Sequence, residues 1–334
     1  MRMKRNTQRI ADVIIVFALT ILSLFTFSFF KTHKSGEAPP EYKNDFHKRY
    51  SIYALALPDS LSFSEEQVPM QNIDIREALD KELLVNTYWQ SHTILLIKRA
   101  NKYFPIIEPI LKQQGVPDDF KYLAVAESDL TNVVSPANAV GIWQFLESTG
   151  EEYGLEVNDE VDERYHLEKS TEAACKYFKQ AYSKYHNWTL VAASYNMGMK
   201  GLNTQLEKQL QDNYYDLLLN DETARYVYRI LALKLILTNP VQYGFKIDDS
   251  DMYTEIPSYE IEVDTSIENI AEFAKSYSTN YKIIKKLNPW LRNSVLKNDA
   301  GKSYSIKIPL ENARVHQGIE SDVSGLDTLN QGSI

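Results

Sequence analysis

A glutamate occupies a position where a helix is expected to bury an apolar side chain. The spacing of Phe120, Leu123 and Ala124 indicates the buried face of a helix that begins near Pro117. Glu127 takes the next position on that face. Burial among apolar neighbours raises the pKa of a carboxyl group, as a general acid that works near neutral pH requires. Glu127 is therefore a candidate general acid. The alternative is a glutamate at a frayed helix end that reaches solvent or pairs with a basic residue.

Two later segments carry polar side chains of the kind that bind sugars. Ser135 and Gln144 lie in a loop of small residues that contains Gly141, and Asn196 follows Tyr195 in a second segment. Hydroxyl and amide groups beside a protonated carboxyl group are parts of a carbohydrate-binding cleft. Each residue also has a structural alternative: Tyr195 as a core ring, for example, or Asn196 as a helix cap.

A second catalytic carboxyl group is not evident from the sequence. Ordinary glycosidases use two carboxyl groups about 5–10 Å apart. Asp129 is two residues from Glu127, so on a helix its side chain is expected to point away. Glu147, Glu151 and Glu152 lie beyond the loop, without an apolar context. The residues themselves therefore supply an acid but no partner for it.

Composition and charge exclude several other functions. The chain has 334 residues, a formal net charge of −9 and 44% hydrophobic residues, which is a globular composition. An acidic protein attracts polyphosphates poorly, so we expect no nucleic-acid partner. The six histidines show no metal-ligand spacing and Cys175 is the single cysteine, so we expect no metal, no cofactor and no internal disulfide. The 22 tyrosines provide rings that could stack on sugars, although tyrosine is also ordinary core material.

The N-terminus predicts a membrane anchor. Residues 13–30 form an uncharged run of 18 residues, about 27 Å long as a helix and close to the roughly 30 Å hydrocarbon core of a bilayer. Basic residues precede this run, and Lys31 follows it where a signal peptide would have small residues. We expect a cytoplasmic segment at 1–9 and an uncleaved transmembrane helix at 10–30, with the remaining chain across the membrane. A cleaved signal peptide is the alternative.

The remaining chain divides by its periodicity, and the predicted fold class is α+β. Residues 31–80 lack a clear period and are predicted to be a spacer, whereas residues 81–240 show helical apolar spacing. The acidic segment 241–256 is predicted to be a linker. Two strands that flank two short helices are predicted within residues 257–310, in the order βααβ. Residues 311–334 are predicted to be a flexible tail.

The motifs around the candidate acid occur in a fixed order: Glu127-Ser128, Ser135, Gly141-Ile142-Trp143-Gln144 and Tyr195-Asn196-x-Gly198. Together they resemble the catalytic domain of the soluble lytic transglycosylases, a mainly α domain with a goose-type lysozyme fold. Residues 148–150, 153–155 and 222–227 narrow the resemblance to the branch of membrane-bound lytic murein transglycosylase D. Residues 259–308 are similar to the lysin motif (LysM) that commonly accompanies this branch.

This resemblance implies a reaction that needs only one carboxyl group. The family cleaves the β-1,4 bond between N-acetylmuramic acid and N-acetylglucosamine in peptidoglycan without water, and leaves a 1,6-anhydromuramoyl end. By the same resemblance Glu127 would be the catalytic residue, and Ser135 and Gln144 would bind the sugar near the cut. Tyr195, Asn196 and Tyr226 would line the cleft on the same basis. The expected location is the inner membrane, with both folded domains in the periplasm.

Two other functions remain open at this stage. A hydrolase of muramidase or chitinase type would need a second acid to activate water. A peptidoglycan-binding protein without catalysis would use the LysM-like unit for affinity and retain the helical domain as a scaffold. The position of Glu127 on an apolar face argues against the second alternative.

Overall fold

The structure is a computed structural model that describes residues 52–315. The predicted segments 1–9 and 10–30, and parts of the predicted spacer and tail, lie outside these residues. Within residues 52–315, no helix is both long enough and apolar enough to cross a bilayer.

The described chain is a helix-rich α+β structure with two small antiparallel sheets. Its elements are β1 (Ser62–Phe63), β2 (Glu66–Gln67), α1 (Ile73–Tyr88), α2 (Gln90–Gln114), α3 (Phe120–Ser128), α4 (Glu147–Glu152), α5 (Leu167–Tyr185), α6 (Trp188–Gln209), α7 (Asp221–Thr238), β3 (Ser258–Val263), α8 (Ile270–Ser276), α9 (Tyr281–Leu287) and β4 (Tyr304–Pro309).

Helix α3 lies at the centre of the helical unit. It begins close to Pro117, as the sequence predicts, and the predicted apolar face is fully buried at Phe120, Leu123 and Ala124. The ring of Phe120 packs against Phe178 of α5, with 4.4 Å between ring centroids. Helix α3 also contacts α2 and α7, so its last turn is held between neighbouring helices.

The helical unit begins earlier in the chain than the sequence predicts. Leu61, Phe63 and Met70 are buried in its core, although they belong to the predicted spacer 31–80. Strands β1 and β2 are only two residues long, which is too short to show a period of two in the sequence. The described part of the spacer therefore joins the helical unit from about residue 61.

The predicted linker 241–256 is also partly folded onto this unit. Tyr243 and Phe245 are buried in the helical core. The acidic residues from Asp249 to Asp251 form a single exposed 3-10 turn. The acidic part of the segment is thus exposed, and Tyr243 and Phe245 fix the beginning of the segment to the helical core.

The C-terminal unit has the predicted βααβ order. Strand β3 pairs antiparallel with β4, from Ser258 opposite Pro309 to Val263 opposite Tyr304. Helices α8 and α9 cover one face of this hairpin, and the small core contains Ile284 and other apolar side chains. We call residues 258–309 the LysM-like unit.

The LysM-like unit is docked against the helical unit. Val140 and Tyr165 of the helical unit are buried in the same cluster as the core of the LysM-like unit. The backbone N–H of Asp162 donates to the carbonyl of Trp290 at 2.9 Å, and that of Arg292 donates to Glu160 at 2.7 Å. Shared apolar burial and backbone hydrogen bonds make the two units one compact structure, and not two domains on a free tether.

We expect Arg292→Ala to weaken this contact. The Arg292 guanidinium lies 3.8 Å from the centre of the Tyr165 ring, and a cation–π contact of this kind stabilises by about 1 kcal/mol. The free energy of unfolding should fall by a similar amount in chemical denaturation. Arg314→Ala removes an exposed arginine near the end of the described chain and is the matched control. Equal stability of the two variants would show that the contact with Tyr165 contributes nothing.

Candidate active site

The carboxyl group of Glu127 lies at the end of α3, in contact with α7. Glu127 is half-buried, and the hydroxyl of Tyr226 donates a hydrogen bond to its Oε1. Among residues 52–315, no basic side chain forms an ion pair with Glu127. Glu127 is thus hydrogen-bonded to a tyrosine rather than paired with a basic residue, and its role as the general acid stays a prediction.

The surroundings of Glu127 favour its protonated form. Burial raises the pKa of Glu127 to about 7, against the hydrogen bond from Tyr226 and the positive charge of Arg229, which both lower it. The negative charge of Glu222 adds to the increase. Near neutral pH both forms of the carboxyl group are populated, so the same group can donate a proton and later accept one.

Asp129 lines the same cavity as Glu127, contrary to the expectation that it points away. Helix α3 ends at Ser128, and Asp129 and Leu130 both adopt left-handed backbone conformations with φ of 54°. Helical geometry therefore does not apply beyond Ser128. The Oδ2 atom of Asp129 lies 2.9 Å from Nε2 of His92 on α2.

The loop at 133–145 is fixed to two helices. The hydroxyl of Ser128 donates to the carbonyl of Ile142 at 2.8 Å, which joins the loop to the end of α3. The indole of Trp143 is fully buried and donates to Oγ1 of Thr171 on α5 at 2.8 Å. The indole of Trp143 thus anchors the loop and offers no exposed face to a sugar.

Ser135 and Gln144 form hydrogen bonds within this loop. The Oγ of Ser135 accepts from the backbone N–H of Ala139 at 3.0 Å. The side-chain amide of Gln144 donates to the carbonyls of Gly141 at 2.7 Å and Val133 at 3.1 Å. In the described part of the chain, neither residue belongs to the lining of the cavity around Glu127. Their sugar-binding roles stay predictions.

Two of the predicted tyrosines lie close to Glu127. Tyr226 contacts it directly, as described above. The hydroxyl of Tyr195 donates to the carbonyl of Trp143 at 2.7 Å. Burial and the negative charge of Glu127 raise the pKa of Tyr195 well above its usual value. Asn196 is half-buried beside it, two residues before Gly198, where α6 is kinked at a φ of 75°.

The cavity around Glu127 has a volume of about 420 Å³ and is formed by residues from α1, α2, α3 and α7. Most of the charged and aromatic residues that line this cavity are not evident from the sequence. Arg229 is three residues after Tyr226 and therefore shares its face of α7, which was an available signal. The lining residues not predicted include Glu82, Trp89, His92, Asp129, Arg225 and Arg229.

The exposed indole of Trp89 lines part of the cavity around Glu127. Trp89 precedes α2 and is 58% exposed. Its ring stacks on His92 with 4.0 Å between centroids and 9° between planes. Trp89 thus has a ring available to a sugar, whereas Trp143 and Trp290 are buried.

The other candidate chemistries have little support in residues 52–315. No group of three His, Cys, Asp or Glu side chains is placed there to hold a metal ion. Cys175 is buried, and burial raises the pKa of its thiol to about 12. A thiol in this environment stays protonated and is a poor nucleophile.

Comparison with known proteins identifies two family domains. Residues 104–217 match the family model described as a transglycosylase SLT domain. Residues 259–312 match the model described as a soluble lytic transglycosylase C-terminal LysM-like domain. The resemblance inferred from the motifs is thereby confirmed.

Two curated relatives are similar to this chain. Both are named membrane-bound lytic murein transglycosylase D, one from Escherichia coli strain K12 and one from the O6:H1 strain CFT073. Each is 30% identical over 210 residues, which cover 61% of this chain and 46% of the relative. The chain thus matches about half the length of these relatives.

Proposed function

We propose that this protein is a peptidoglycan lytic transglycosylase. The observation that carries the proposal is Glu127, a carboxyl group with a pKa of about 7 in a cavity large enough for a sugar ring. The SLT domain around it and the names of the two relatives support the substrate class. We assign a lysozyme-like fold to the helical unit on the same basis.

The proposed reaction cleaves the β-1,4 bond between N-acetylmuramic acid and N-acetylglucosamine. Protonated Glu127 donates its proton to the glycosidic oxygen as the bond from that oxygen to muramoyl C1 breaks. The resulting carboxylate takes the proton of the muramoyl C6 hydroxyl while O6 bonds to C1. The product is a 1,6-anhydromuramoyl end, no water is consumed, and Glu127 is protonated again.

The neighbouring side chains would position Glu127 and the sugar. Tyr226 holds Oε1 of Glu127 and leaves the other carboxyl oxygen for the substrate. Tyr195 fixes the loop through the carbonyl of Trp143. We assign Ser135, Gln144 and Asn196 to sugar binding. Ser135 and Gln144 would use the lone pairs and N–H donors that their hydrogen bonds within the loop leave free.

We further propose that residues 10–30 anchor the protein in the inner membrane, with the helical and LysM-like units in the periplasm. The uncharged run at 13–30 and the preceding basic residues support this topology. Both relatives are named membrane-bound enzymes. Membrane fractionation and protease accessibility of the full chain test the proposal, which fails if the chain is released from membranes by high salt alone.

The pH dependence of the reaction should follow the ionisation of Glu127. The acid must be protonated to donate, so kcat/KM for muropeptide release should fall as the pH rises through about 7. Arg229→Gln removes a positive charge that lowers this pKa. The alkaline limb of the profile should therefore move to higher pH in that variant. An unchanged limb would mean that another group controls the reaction.

The deciding experiment is mass spectrometry of purified peptidoglycan digested by the protein. The proposal predicts products that end in 1,6-anhydromuramic acid. Reducing muramic acid ends would instead identify a hydrolase. The absence of any released muropeptide would identify a binding protein without catalysis.

Asp129 makes hydrolysis the second candidate function. Its carboxylate lines the cavity of Glu127 and is 45% exposed, so it could activate a water molecule. Its Oδ2 atom interacts with Nε2 of His92, which would hold the carboxylate in place for this role. If reducing ends appear, Asp129→Asn should abolish them. A lytic transglycosylase should retain anhydro-end formation in that variant.

A further inference from the structure

We infer that Arg225 and Arg229 form a subsite for a carboxylate group carried by the glycan, within the cavity of Glu127. This inference rests on the proposed function and concerns which glycan strands the site binds preferentially. Both arginines lie on α7, one helical turn apart, and both line the cavity. Their side chains are 35% and 34% exposed, so a ligand can reach them.

A buried carboxylate lies beside both arginines and is hydrogen-bonded to one of them. Glu82 of α1 is 1% exposed, and its Oε1 accepts a hydrogen bond from Nε of Arg225. Its Oε2 lies 3.7 Å from Nε of Arg229 and accepts no hydrogen bond from the described residues. Glu82 therefore fixes Arg225 through its Nε–H and lies close to Arg229 without a hydrogen bond to it. A guanidinium held at Nε presents its terminal N–H groups elsewhere.

Most hydrogen-bond donors of these arginines have no acceptor in the described chain. Arg225 uses its Nε–H for Glu82. Arg229 forms no hydrogen bond within residues 52–315. A guanidinium has five N–H donors and binds a carboxylate well through two parallel hydrogen bonds. Two such groups at one wall of a cavity fit an anionic ligand with several oxygen acceptors.

Nearby carboxyl groups determine how strongly this wall of the cavity attracts an anion. Glu82 balances one of the two positive charges from behind. Asp129 lines the same cavity and interacts with His92, and Glu127 is about half protonated near pH 7. Asp221 adds a second negative charge near Arg225, so an anion at this wall would be held mainly by the unused N–H donors of the two arginines, in a protein with a formal net charge of −9. This attraction is local because the protein as a whole repels anions.

Peptidoglycan carries carboxylates in two places. A muramoyl residue without a peptide has a free lactyl carboxylate, and a peptide-substituted residue carries carboxylates on the peptide. Uncharged chitin oligosaccharides carry neither. The subsite would therefore separate muramoyl-containing strands from chitin, which the acid Glu127 alone cannot do.

Binding to an inactive variant tests the inference. The full chain with Glu127→Gln is titrated calorimetrically with four glycans: a muramoyl tetrasaccharide with free lactyl groups, its uncharged lactyl amide, a peptide-substituted tetrasaccharide and chitotetraose. Arg229→Gln is then added to this background. Affinity for at least one carboxylate-bearing glycan should fall about 10- to 100-fold, and affinity for the two uncharged glycans should change less than about twofold.

Two further variants separate charge from structure. Arg225→Lys keeps the positive charge beside Glu82 but loses the planar guanidinium group and its paired N–H donors. Affinity should therefore fall less than in Arg229→Gln, and only for the same charged glycans. Arg76→Gln on α1 removes an arginine outside the cavity and is the control, with no change expected for any glycan. Thermal unfolding of each variant checks that the fold is retained.

The pattern of losses decides the outcome. A loss limited to the free lactyl form identifies the lactyl group as the ligand, and a loss limited to the peptide form identifies the peptide. Equal losses for charged and uncharged glycans, or no loss for any of them, overturn the inference while the proposed function stands. If the Glu127→Gln protein binds none of the four glycans, the proposed function fails as well.

Discussion

Replacing Glu127 with glutamine is expected to abolish the release of muropeptides while the fold and sugar binding are retained. Glutamine has nearly the same shape but cannot donate the proton to the glycosidic oxygen or accept one from the C6 hydroxyl. Each general acid or base step contributes about 10²- to 10⁴-fold to a rate. The rate of muropeptide release should therefore fall by at least about 10³-fold, measured by chromatography of digested peptidoglycan.

The structure also predicts the effect of this change on stability. The pKa of Glu127 is raised, so ionisation of this group opposes folding above its usual pKa. Glutamine never ionises, and the Glu127→Gln protein should be at least as stable as the wild type at pH 8. Tyr226 can still donate its hydrogen bond, now to the amide oxygen. A large loss of stability would mean that the loss of activity reports unfolding.

Glu151→Gln provides the matched control. Glu151 is an exposed glutamate on α4, beyond the loop at 133–145, and does not line the cavity of Glu127. Its replacement makes the same chemical change to the side chain and should leave muropeptide release within about twofold of wild type, because an exposed carboxylate contributes little. Wild-type rates in the Glu127→Gln protein would reject Glu127 as the acid.

The sequence predicted the elements that repeat a local pattern. The apolar spacing of α3 and the alternation in β3 and β4 follow from which side chains face a core, so they are visible without tertiary contacts. The hairpin of β1 and β2 lacks such a pattern because each strand has two residues. Docking of the LysM-like unit depends on contacts such as Arg292 with Tyr165, which no local pattern predicts.

The candidate site could be predicted only in part, for a related reason. Glu127 was identifiable because a charged residue interrupts an apolar face. Glu82 and Trp89 line the same cavity but lie about 40 residues earlier in the chain. Their proximity depends on how α1 and α2 fold against α3 and α7. The expectation that Asp129 points away from Glu127 was wrong because its left-handed backbone conformation after α3 is not evident from the sequence.

The tyrosines illustrate how composition alone can mislead. Their number suggested rings for sugar stacking, yet Tyr177, Tyr214 and Tyr226 are buried. Tyr177 instead donates to the carbonyl of Ser194 at 2.6 Å, and Tyr214 donates to that of Thr223 at 2.9 Å. A tyrosine in these positions fills the core and satisfies a buried carbonyl.

Gly141→Ala is expected to have the largest effect on the loop that carries Gln144. Gly141 has a φ of 81°, in the left-handed region, which costs about 1–2 kcal/mol for other residues. A Cβ atom at this position would also lie 2.1 Å from the carbonyl oxygen of Arg164, a backbone atom that cannot rotate away. The loop must then separate from the segment that contacts the LysM-like unit. We expect the free energy of unfolding to fall by more than about 3 kcal/mol.

Gly115→Ala distinguishes the close approach to Arg164 from backbone strain alone. Gly115 follows α2 with a φ of 70°, but an added Cβ would meet no atom within 4 Å. That variant should lose only about 1–2 kcal/mol and retain muropeptide release. Gly141→Ala should lose activity too, because movement of the loop breaks the bond from Ser128 to Ile142 that fixes it beside Glu127. If denaturation gave the same loss for both glycine variants, the contact with Arg164 would not hold the loop, and the site would depend on the ties to Ser128 and Thr171 alone.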